Sequence, residues 1–265
     1  MTIIRIEDPA DARIAAFRDI RERDLTGREG LFVAEGEVVL RVLGSPASRC
    51  RPVSVLLAES RLEAQAGTLA ALPDTVPVHI APQAVLDRIA GFHLHRGILA
   101  LGEKSAPVDV DGFLAATSPD AVIVAASEIG NHDNMGGIFR NAAAFGAAGV
   151  MLDDRCCDPF YRKAIRVSVG AVLRTPMITG LKAAAMVDAL ERHGFTVIAL
   201  TPSAREDLSA MPRHGRRAIL LGPEGPGLPR ALIDRCRGAR IPMSGGFDSL
   251  NVATAGAVAL YHLGG

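Results

Sequence analysis

The stretch AVIVAASEIGNHDNMGGIFRNAAAFGA, residues 121–147, joins an apolar run to an alanine-rich segment through a polar loop. Its apolar, β-branched start predicts a buried strand, and the segment from about Met135 predicts a helix. Four further apolar runs follow, with helical segments between several of them. These runs are AGVMLDD (148–154), VLRTPMI (172–178), FTVIALTP (195–202) and RAILLGPEG (217–225). Continuous apolar strands interleaved with helices predict an α/β fold whose parallel sheet is covered on both faces.

Shorter apolar runs before this region predict a second, smaller α/β module, preceded by a segment with helical spacing from Arg13 to Asp24. Its strands are predicted in RPVSVLLAES (51–60), VPVHIAP (76–82) and HRGILALGEK (95–104), and its helices at Ser60–Ala71 and Gln83–Ala90. The stretch 105–121 has the prolines, aspartates and small residues that are typical of an interdomain connection. We therefore expect an N-terminal domain at 1–106, a linker at 107–119 and a C-terminal domain at 120–265.

The composition excludes several classes of protein. A chain of 265 residues, 49% of them hydrophobic, can bury a sizeable core, so a disordered or fibrous protein is excluded. Lys and Arg total 29, as do Asp and Glu, so binding of a nucleic acid would have to rely on local patches. The charged N-terminus is unlike a signal peptide, and no apolar run has membrane-spanning length. We therefore expect a soluble, cytoplasmic protein.

Neither the cysteines nor the histidines indicate a metal site. The chain has four cysteines, which lack a C-x-x-C spacing and are expected to be reduced thiols: Cys50, Cys156, Cys157 and Cys236. His93 and His95 alternate as neighbours on one face of a strand would, but no further ligand of recognisable spacing accompanies them. We therefore predict that the protein binds no metal.

In an open parallel sheet a ligand binds beyond the carboxyl ends of the strands, so the loops that leave the strands are the candidate site. The first loop leads to Asn134 and to two adjacent glycines, Gly136 and Gly137, at the head of the predicted helix. Glycine costs a helix about 1 kcal/mol relative to alanine, so we expect the backbone there to approach the ligand closely. Arg140 would reach a phosphate or a ribose from this helix, although an asparagine-capped helix with a surface arginine explains the same residues equally well.

Two more loops are unusual. LLGPEGPGLP (220–229) presents Glu224 on a backbone that prolines restrict and glycines bend. Its glycines do not fit G-x-G-x-x-G, and the chain has no G-x-x-x-x-G-K-[ST] sequence, which argues against dinucleotide and nucleoside triphosphate sites. In IPMSGGFDSLNVATAGAVALYHL (241–263) a short apolar strand is predicted before Ser249 and Asn251, and a helix after them. Ser249 would cap that helix or, with Asn251, bind a small polar ligand.

Taken together, three blocks resemble the motifs of the SpoU (TrmH) branch of the SPOUT methyltransferases. The blocks are NMGGIFRNA (134–142), LLGPEGPGL (220–228) and IPMSGGFDSLNVA (241–253). DPFYRKAIRVSVGA (158–171) resembles the segment between the first two, and FVAEGEVVLRVL (32–43) the start of a ribosomal-protein-like substrate-binding domain. The resemblance implies transfer of a methyl group from S-adenosylmethionine to a ribose 2′-hydroxyl of rRNA or tRNA, without a metal. It also implies a deep trefoil knot in the C-terminal domain, and a homodimer with the active site at its interface.

The resemblance also assigns roles to residues of this chain. The implied catalytic residues are Asn134, Arg140, Glu224, Ser249 and Asn251. The implied cofactor-binding residues are Thr201, Leu221, Gly222, Gly227, Ile241, Met243, Leu250 and Asn251. Arg140 would stabilise the charge that develops on the ribose oxygen or, as proposed for the family, act as the general base. The expected RNA contacts are Arg140, Arg162, Lys163 and Arg166, although a solvated helix face explains the last three equally well.

Two alternatives stay open at this point. One is a non-catalytic RNA-binding or assembly protein on the same fold, which the affinity for the cofactor would distinguish from an enzyme. The other is a SPOUT enzyme that modifies a base, although the arginine of the first motif and the SLN of the third favour a ribose. Phe247 and Asp248 depart from the family's pattern just before Ser249, and we expect this negative charge to alter substrate preference.

Overall fold

A computed structural model describes residues 2–18, 30–91, 93–247 and 249–264 of the chain. The chain forms two compact units, an N-terminal unit of residues 1–106 and 158–174 and a C-terminal unit of residues 107–157 and 175–265. No helix in the described parts of the chain is both long and apolar enough to cross a membrane.

The secondary structure alternates strands and helices along most of the chain. The strands are β1 (Ile3–Arg5), β2 (Leu31–Glu35), β3 (Arg51–Ala58), β4 (Val78–Ala81), β5 (Ile98–Glu103), β6 (Val122–Ala126), β7 (Gly149–Asp153), β8 (Met177–Leu181), β9 (Thr196–Leu200), β10 (Glu206–Asp207), β11 (Arg217–Leu221) and β12 (Arg237–Arg240). The α-helices are α1 (Glu37–Leu43), α2 (Ala66–Ala70), α3 (Gln83–Ala90), α4 (Val110–Ala115), α5 (His132–Ala144), α6 (Arg162–Val167), α7 (Ala183–Arg192), α8 (Arg230–Ile233) and α9 (Val252–Leu263). Short 3₁₀ helices lie at Ala12–Phe17, Glu59–Arg61, Ala171–Leu173 and Leu208–Ala210.

The N-terminal unit contains a mixed five-stranded sheet in the order β1-β4-β3-β5-β2. Strands β1, β4 and β3 are parallel, and β5 runs antiparallel to both β3 and β2. The three strands predicted for this module become β3, β4 and β5, and the helix predicted at Gln83–Ala90 is α3. The helix predicted at Ser60–Ala71 is reduced to α2 and a 3₁₀ turn. Of the predicted leading helix, the first part is the 3₁₀ helix Ala12–Phe17, and residues 19–24 lie outside the described residues.

The segment Asp158–Arg174 belongs to the N-terminal unit, whereas the domain prediction placed it in the C-terminal domain. Its Phe160 ring packs on Phe32, with ring centroids 5.1 Å apart. Asp158 Oδ2 lies 2.9 Å from Lys104 Nζ, and that ammonium group is 4.8 Å from the centre of the Phe160 ring. The prediction was wrong here because long-range packing, which local sequence does not encode, attaches this segment to β2 and β5.

The C-terminal unit contains a seven-stranded sheet in the order β10-β12-β9-β11-β6-β7-β8, and all its strand pairs are parallel. Helices α5 and α9 pack on one face and α4 and α7 on the other, where Leu114, Val187 and Leu190 join the core beneath Ile123 and Leu220. The predicted parallel sheet covered on both faces is therefore confirmed.

Part of the predicted linker 107–119 is also structured. Asp109 Oδ2 accepts a hydrogen bond of 2.9 Å from the N–H of Gly112, which caps the start of α4. Leu114 of this helix is fully buried in the core of the C-terminal unit. The prediction of a linker was therefore wrong for these residues, because a capped helix with one core side chain follows the prolines.

Two strands are displaced from their predicted positions. Strand β8 begins at Met177, after the 3₁₀ helix Ala171–Leu173 that occupies the start of the predicted run 172–178. A strand was predicted at Ile241, but the strand in this region, β12, ends at Arg240. Pro242 follows it and has no backbone N–H that could continue the hydrogen-bond ladder of the sheet. The sequence of β12, Arg-Gly-Ala-Arg, lacks the apolar pattern by which a buried strand is usually detected.

Two glycines of the N-terminal unit lead to opposite predictions on substitution by alanine. Gly102 of β5 pairs with Phe32 of β2, and a methyl group on Gly102 would overlap the Phe32 ring. We expect Gly102→Ala to lower the free energy of unfolding by about 1–3 kcal/mol, because overpacking displaces that ring from Phe160. Gly67 lies in α2, and outside the adjoining helix no atom of the described residues lies within 4 Å of the position that a methyl group would occupy.

Gly67→Ala should therefore raise the free energy of unfolding by roughly 0.5–1 kcal/mol, because alanine favours a helix. Urea unfolding followed by circular dichroism would compare both variants with the wild type. Equal effects of the two substitutions would contradict this account of the β2–β5 packing.

Candidate active site

The candidate site lies at the carboxyl ends of three neighbouring strands, β12, β9 and β11. Each of these strands leads directly into a loop that lines one cavity of about 550 Å³. The first loop begins at Thr201, the second at Gly222 and the third at Ile241. The position agrees with the general location of ligands in open parallel sheets.

All the residues expected to bind the cofactor line this cavity, although they come from separate parts of the chain. They are Thr201, Leu221, Gly222, Gly227, Ile241, Met243, Leu250 and Asn251. Glu224 and Ser249, from the expected catalytic set, line it as well. Pro202, Ser203 and Ala255 are further lining residues that the sequence analysis did not single out.

The loop from Gly222 to Pro229 is folded tightly on itself. A methyl group on Gly222 would lie 2.7 Å from Leu228 Cγ and 2.8 Å from the Leu228 backbone nitrogen. Gly225 and Gly227 have φ angles of 88° and 68°, in the left-handed region that favours glycine. The absence of a side chain at Gly222 thus permits close packing within the loop, which fixes the shape of this wall of the cavity.

The Asn251 side chain joins three elements of the site. Its Oδ1 accepts hydrogen bonds from the backbone N–H groups of Ala253 and Thr254, at 3.1 and 3.2 Å, and so caps α9. Its Nδ2 donates to Asn134 Oδ1 at 2.7 Å and to Glu224 Oε1 at 3.0 Å. The cap therefore fixes which end of the amide points toward Asn134 and Glu224. The prediction that Ser249 caps this helix was wrong, because Asn251 takes that role.

The loop after β6 is held by a buried carboxylate that the sequence analysis missed. Asp153, at the end of β7 and 4% exposed, accepts hydrogen bonds from Ser127 Oγ at 2.6 Å and from the Glu128 N–H at 3.0 Å. Glu128 has a φ of 56°, an unfavourable angle for a residue with a side chain. The hydrogen bonds that Asp153 accepts offset that strain. The sequence feature that could have indicated this role is the position of Asp153, a polar residue at the end of the apolar run AGVMLDD.

Helix α5 begins at His132, three residues before the predicted start, and its cap is Asn131, whose Oδ1 accepts from the Asp133 N–H at 2.7 Å. Asn134 therefore lies inside the first turn, where it is buried and bonded to Asn251. The alternative of an asparagine-capped helix with a surface arginine is therefore confirmed, with Asn131 as the cap.

The glycine at position 137 serves the packing of two helices. A methyl group on Gly137 would come within 2.8 Å of Ala253 Cβ on α9. Next to it, Asn141 Nδ2 donates a 2.8 Å hydrogen bond to the Ala253 carbonyl. The predicted close approach is present at Gly137, where the partner is α9, the helix that Asn251 caps.

Arg140 is not part of the hydrogen-bonded group Asn134–Asn251–Glu224. It is exposed on α5, and the structure shows neither a hydrogen bond nor an ion pair between Arg140 and another described residue. Among the described residues, Asn134, Glu224 and Asn251 are thus joined by hydrogen bonds, and Ser249 lines the cavity with Glu224 and Asn251, whereas Arg140 has neither kind of contact. Asp248, whose charge was expected to affect substrate preference, lies outside the described residues.

The other three expected RNA contacts, Arg162, Lys163 and Arg166, lie on α6 in the N-terminal unit. Arg162 Nη1 and Arg166 Nη1 are 3.5 and 3.9 Å from Glu35 Oε2. They are therefore associated with the sheet of that unit through a buried carboxylate, whose side chain is 7% exposed.

In the described residues no disulfide joins any two of the four cysteines. Burial raises the pKa of Cys156, which lies beside the loop after β6, to about 12. A thiol with this pKa stays protonated at neutral pH, so Cys156 is not a nucleophile in the site. His93, one of the two histidines considered as metal ligands, pairs with Asp87, with 2.7 Å between His93 Nδ1 and Asp87 Oδ2.

Comparison with known proteins identifies the family. A model described as the SpoU rRNA Methylase family matches residues 121–261, more than half of the chain. A Mycobacterium bovis protein named as an uncharacterized tRNA/rRNA methyltransferase is 38% identical over 96% of this chain and 89% of its own length.

Two solved structures have a similar fold. One is an AdoMet-bound rRNA methyltransferase from Sinorhizobium meliloti, with a TM-score of 0.82 and 22% identity over 98% of this chain and 97% of that one. The other is an RNA 2′-O ribose methyltransferase, with a TM-score of 0.77 and 26% identity over 98% of each chain. With the match to the family model and the sequence identity to the mycobacterial relative, the conclusion is direct: the chain belongs to the SpoU rRNA methylase family.

Proposed function

We propose that the protein transfers a methyl group from S-adenosylmethionine to a ribose 2′-hydroxyl of rRNA or tRNA. The observation that carries this proposal is the hydrogen-bonded group Asn134–Asn251–Glu224 beside the cavity at the ends of β12, β9 and β11. Family membership and the AdoMet-bound structure of similar fold support the same reaction.

The cavity suits the cofactor in size and in chemistry. Its volume, about 550 Å³, lies within the range of about 300–1,000 Å³ that is usual for small-molecule sites. Apolar side chains of Leu221, Ile241 and Leu250 would hold the adenine, and Thr201 would contribute a hydroxyl group. When bound, the sulfonium group of the cofactor makes the methyl group electrophilic. The remaining task of the chain is to align the ribose hydroxyl and to favour the loss of its proton.

Arg140 and the other polar residues of the site would have different roles in this reaction. Arg140 would bind the ribose oxygen or the adjacent phosphate and stabilise the negative charge that develops on that oxygen. We favour this role over that of a general base, because a guanidinium group normally stays protonated in proteins. Asn134, Ser249 and Asn251 would orient the ribose, and Glu224 would hold Asn251 in position through the 3.0 Å hydrogen bond.

A homodimer would complete the site. Helices α5 and α9 leave large apolar side chains exposed near their carboxyl ends: Phe145 is 37% exposed, Val258 39% and Tyr261 74%. The Phe145 and Tyr261 rings contact each other, with centroids 6.2 Å apart. We place the dimer interface on this face, which includes the helix that carries Arg140. Docking of a second copy would bring Arg140 close to bound RNA.

Other features follow from membership in the family. We propose that the loops 220–229 and 241–251 form a deep trefoil knot, and that the N-terminal unit binds the RNA substrate, with Arg162, Lys163 and Arg166 among its contacts. We further propose that the reaction takes place in the cytoplasm and needs no metal.

The alternative to an enzyme is a non-catalytic RNA-binding or assembly protein. The presence of all the polar residues of the three motifs argues against a lost active site. Affinity for S-adenosylmethionine distinguishes the two proposals, because an assembly protein has no need of a methyl donor.

Calorimetric titration with S-adenosylmethionine would therefore test the function. We expect saturable binding by the wild type and its loss in Leu250→Arg, because Leu250 lines the cavity and is 42% exposed, so the arginine fills the cavity without disturbing the core. Val38→Arg is a matched control, because Val38 is 37% exposed and lies in the N-terminal unit. No binding by folded wild-type protein, either alone or with RNA, would contradict the proposal.

Arg140→Ala tests the mechanism. We expect methyl transfer to RNA to fall by about 100-fold or more, as on removal of one stabiliser of developing negative charge, while the affinity for S-adenosylmethionine is unchanged. Incorporation of tritiated methyl groups into RNA measures the first quantity and calorimetry the second. Arg192→Ala is the control, because Arg192 is an exposed arginine of the same unit that pairs with Asp111. Wild-type turnover by Arg140→Ala would overturn the role given to this residue.

A further inference from the structure

We infer that Phe247 is the residue on which a base of the substrate RNA stacks, beside the cavity assigned to the cofactor. The inference rests on the proposed function for the identity of its ligand. It gives a role to an aromatic residue that departs from the pattern of the third motif. Phe247 would be a substrate-positioning residue in addition to the polar residues that act on the ribose.

Phe247 lies in a loop whose two ends line the cavity. Met243 before it and Ser249 after it are both lining residues. Two residues of chain span at most about 7.6 Å between Cα atoms, so the backbone of Phe247 stays at the edge of the cavity. Asn251, whose amide bonds to Asn134 and Glu224, is two residues beyond Ser249. The loop therefore borders the place where the ribose would be aligned.

The Phe247 ring is open to solvent. It is 76% exposed, more than any other large apolar side chain in the described parts of the chain. Tyr261 is exposed to a similar degree, at 74%, but its ring contacts that of Phe145. Phe247, in contrast, has no ring contact with another described residue. Its aromatic faces are therefore available to a ligand.

Two glycines before Phe247 shape the turn that carries the ring. Gly245 and Gly246 have φ angles of 71° and 77°, in the left-handed region that favours glycine. A methyl group on Gly245 would lie 3.8 Å from Phe247 Cδ2, so the ring lies beside the Gly245 backbone. Apart from the chain neighbours of Gly246, no described atom lies within 4 Å of the position that a methyl group on Gly246 would occupy. The turn thus supports the ring at Gly245 and leaves open space around Gly246.

The ligand that fits an exposed ring in this loop is a nucleobase. The segment 241–251 contains one aspartate, Asp248, and neither lysine nor arginine, so it offers no cation to the phosphate groups of RNA. Every base has an aromatic face, and stacking on phenylalanine requires neither a charge nor a hydrogen bond. Stacking would fix a base at the methylation site while the polar cluster binds the ribose.

Four substitutions of one residue test this role: Phe247→Ala, Phe247→Leu, Phe247→Tyr and Phe247→Trp. The probe is total RNA from a strain that lacks the protein, and incorporation of tritiated methyl groups gives KM and kcat. We expect Phe247→Ala to raise the KM for RNA roughly 5- to 150-fold, as on removal of one base–aromatic stack. The value of kcat should stay within about twofold of the wild type, because stacking stabilises the bound substrate and the transition state alike.

The other variants separate stacking from simple apolar contact. Phe247→Leu is the matched control, because leucine keeps an apolar side chain without an aromatic face, and it should behave like Phe247→Ala. Phe247→Tyr and Phe247→Trp keep that face and should stay close to the wild type. Calorimetry should show unchanged affinity for S-adenosylmethionine in all four variants.

Filter binding of the same RNA is a second measurement, which does not depend on methyl transfer. Phe247→Ala should weaken binding at about 0.2 M salt, where phosphate contacts are weak. It should leave the slope of log affinity against log salt unchanged, because the substitution removes no charge.

A wild-type KM in Phe247→Ala would overturn the inference, and so would full activity of Phe247→Leu. A changed oligomeric state of Phe247→Ala in gel filtration would overturn it by assigning the ring to an interface between two copies of the chain. Loss of affinity for S-adenosylmethionine would overturn it by assigning the ring to the cofactor.

The same data keep this inference apart from the proposed function. An active wild type whose variants keep their KM refutes only the stacking role. A wild type that binds RNA through Phe247 without methylating it refutes only the methyltransferase. A wild type that does not methylate RNA, and whose RNA affinity is unchanged in Phe247→Ala, refutes both.

Discussion

The site depends on one side-chain amide, that of Asn251. Its oxygen caps α9, so its nitrogen must point toward Asn134 and Glu224, and both hydrogen atoms of that nitrogen have acceptors there. A helix cap contributes about 1 kcal/mol to stability, and here the same group sets the geometry of the polar cluster. Asn134 from the first turn of α5 and Glu224 from the loop after β11 meet at this amide, although 117 positions separate Asn134 from Asn251.

A second layer of packing supports this amide. Gly137 allows α5 to approach Ala253, and Asn141 bonds to the carbonyl of the same residue, so α5 and α9 cannot shift independently. Asp153 fixes the strained turn at Glu128 that leads into α5. Contacts within the protein therefore hold the polar groups in place, which is what the proposed alignment of two reactants requires.

The sequence predicts the part of the structure that depends on local patterns. Apolar runs locate β6, β7, β9 and β11, because buried parallel strands are apolar on both faces. The cavity residues follow from resemblance to the family, and they line one cavity. Features that depend on contacts between residues distant in sequence cannot be predicted from local patterns. Ser249 and Asn251 are both good helix caps, and only contact with Asn134 and Glu224 selects Asn251. Likewise, Phe160 belongs to the N-terminal unit because its ring packs on that of Phe32, which is distant in sequence.

We propose above all that the protein methylates the 2′-hydroxyl of a ribose in RNA. The most direct measurement is mass spectrometry of nucleosides from total RNA of a strain that lacks the protein, after incubation with the purified protein and deuterium-labelled S-adenosylmethionine. We predict that one nucleoside gains a labelled methyl group, and that fragmentation places the label on the ribose. A label on the base would contradict the proposed chemistry, and absence of label in every nucleoside, with a protein that binds the cofactor, would contradict RNA as the substrate.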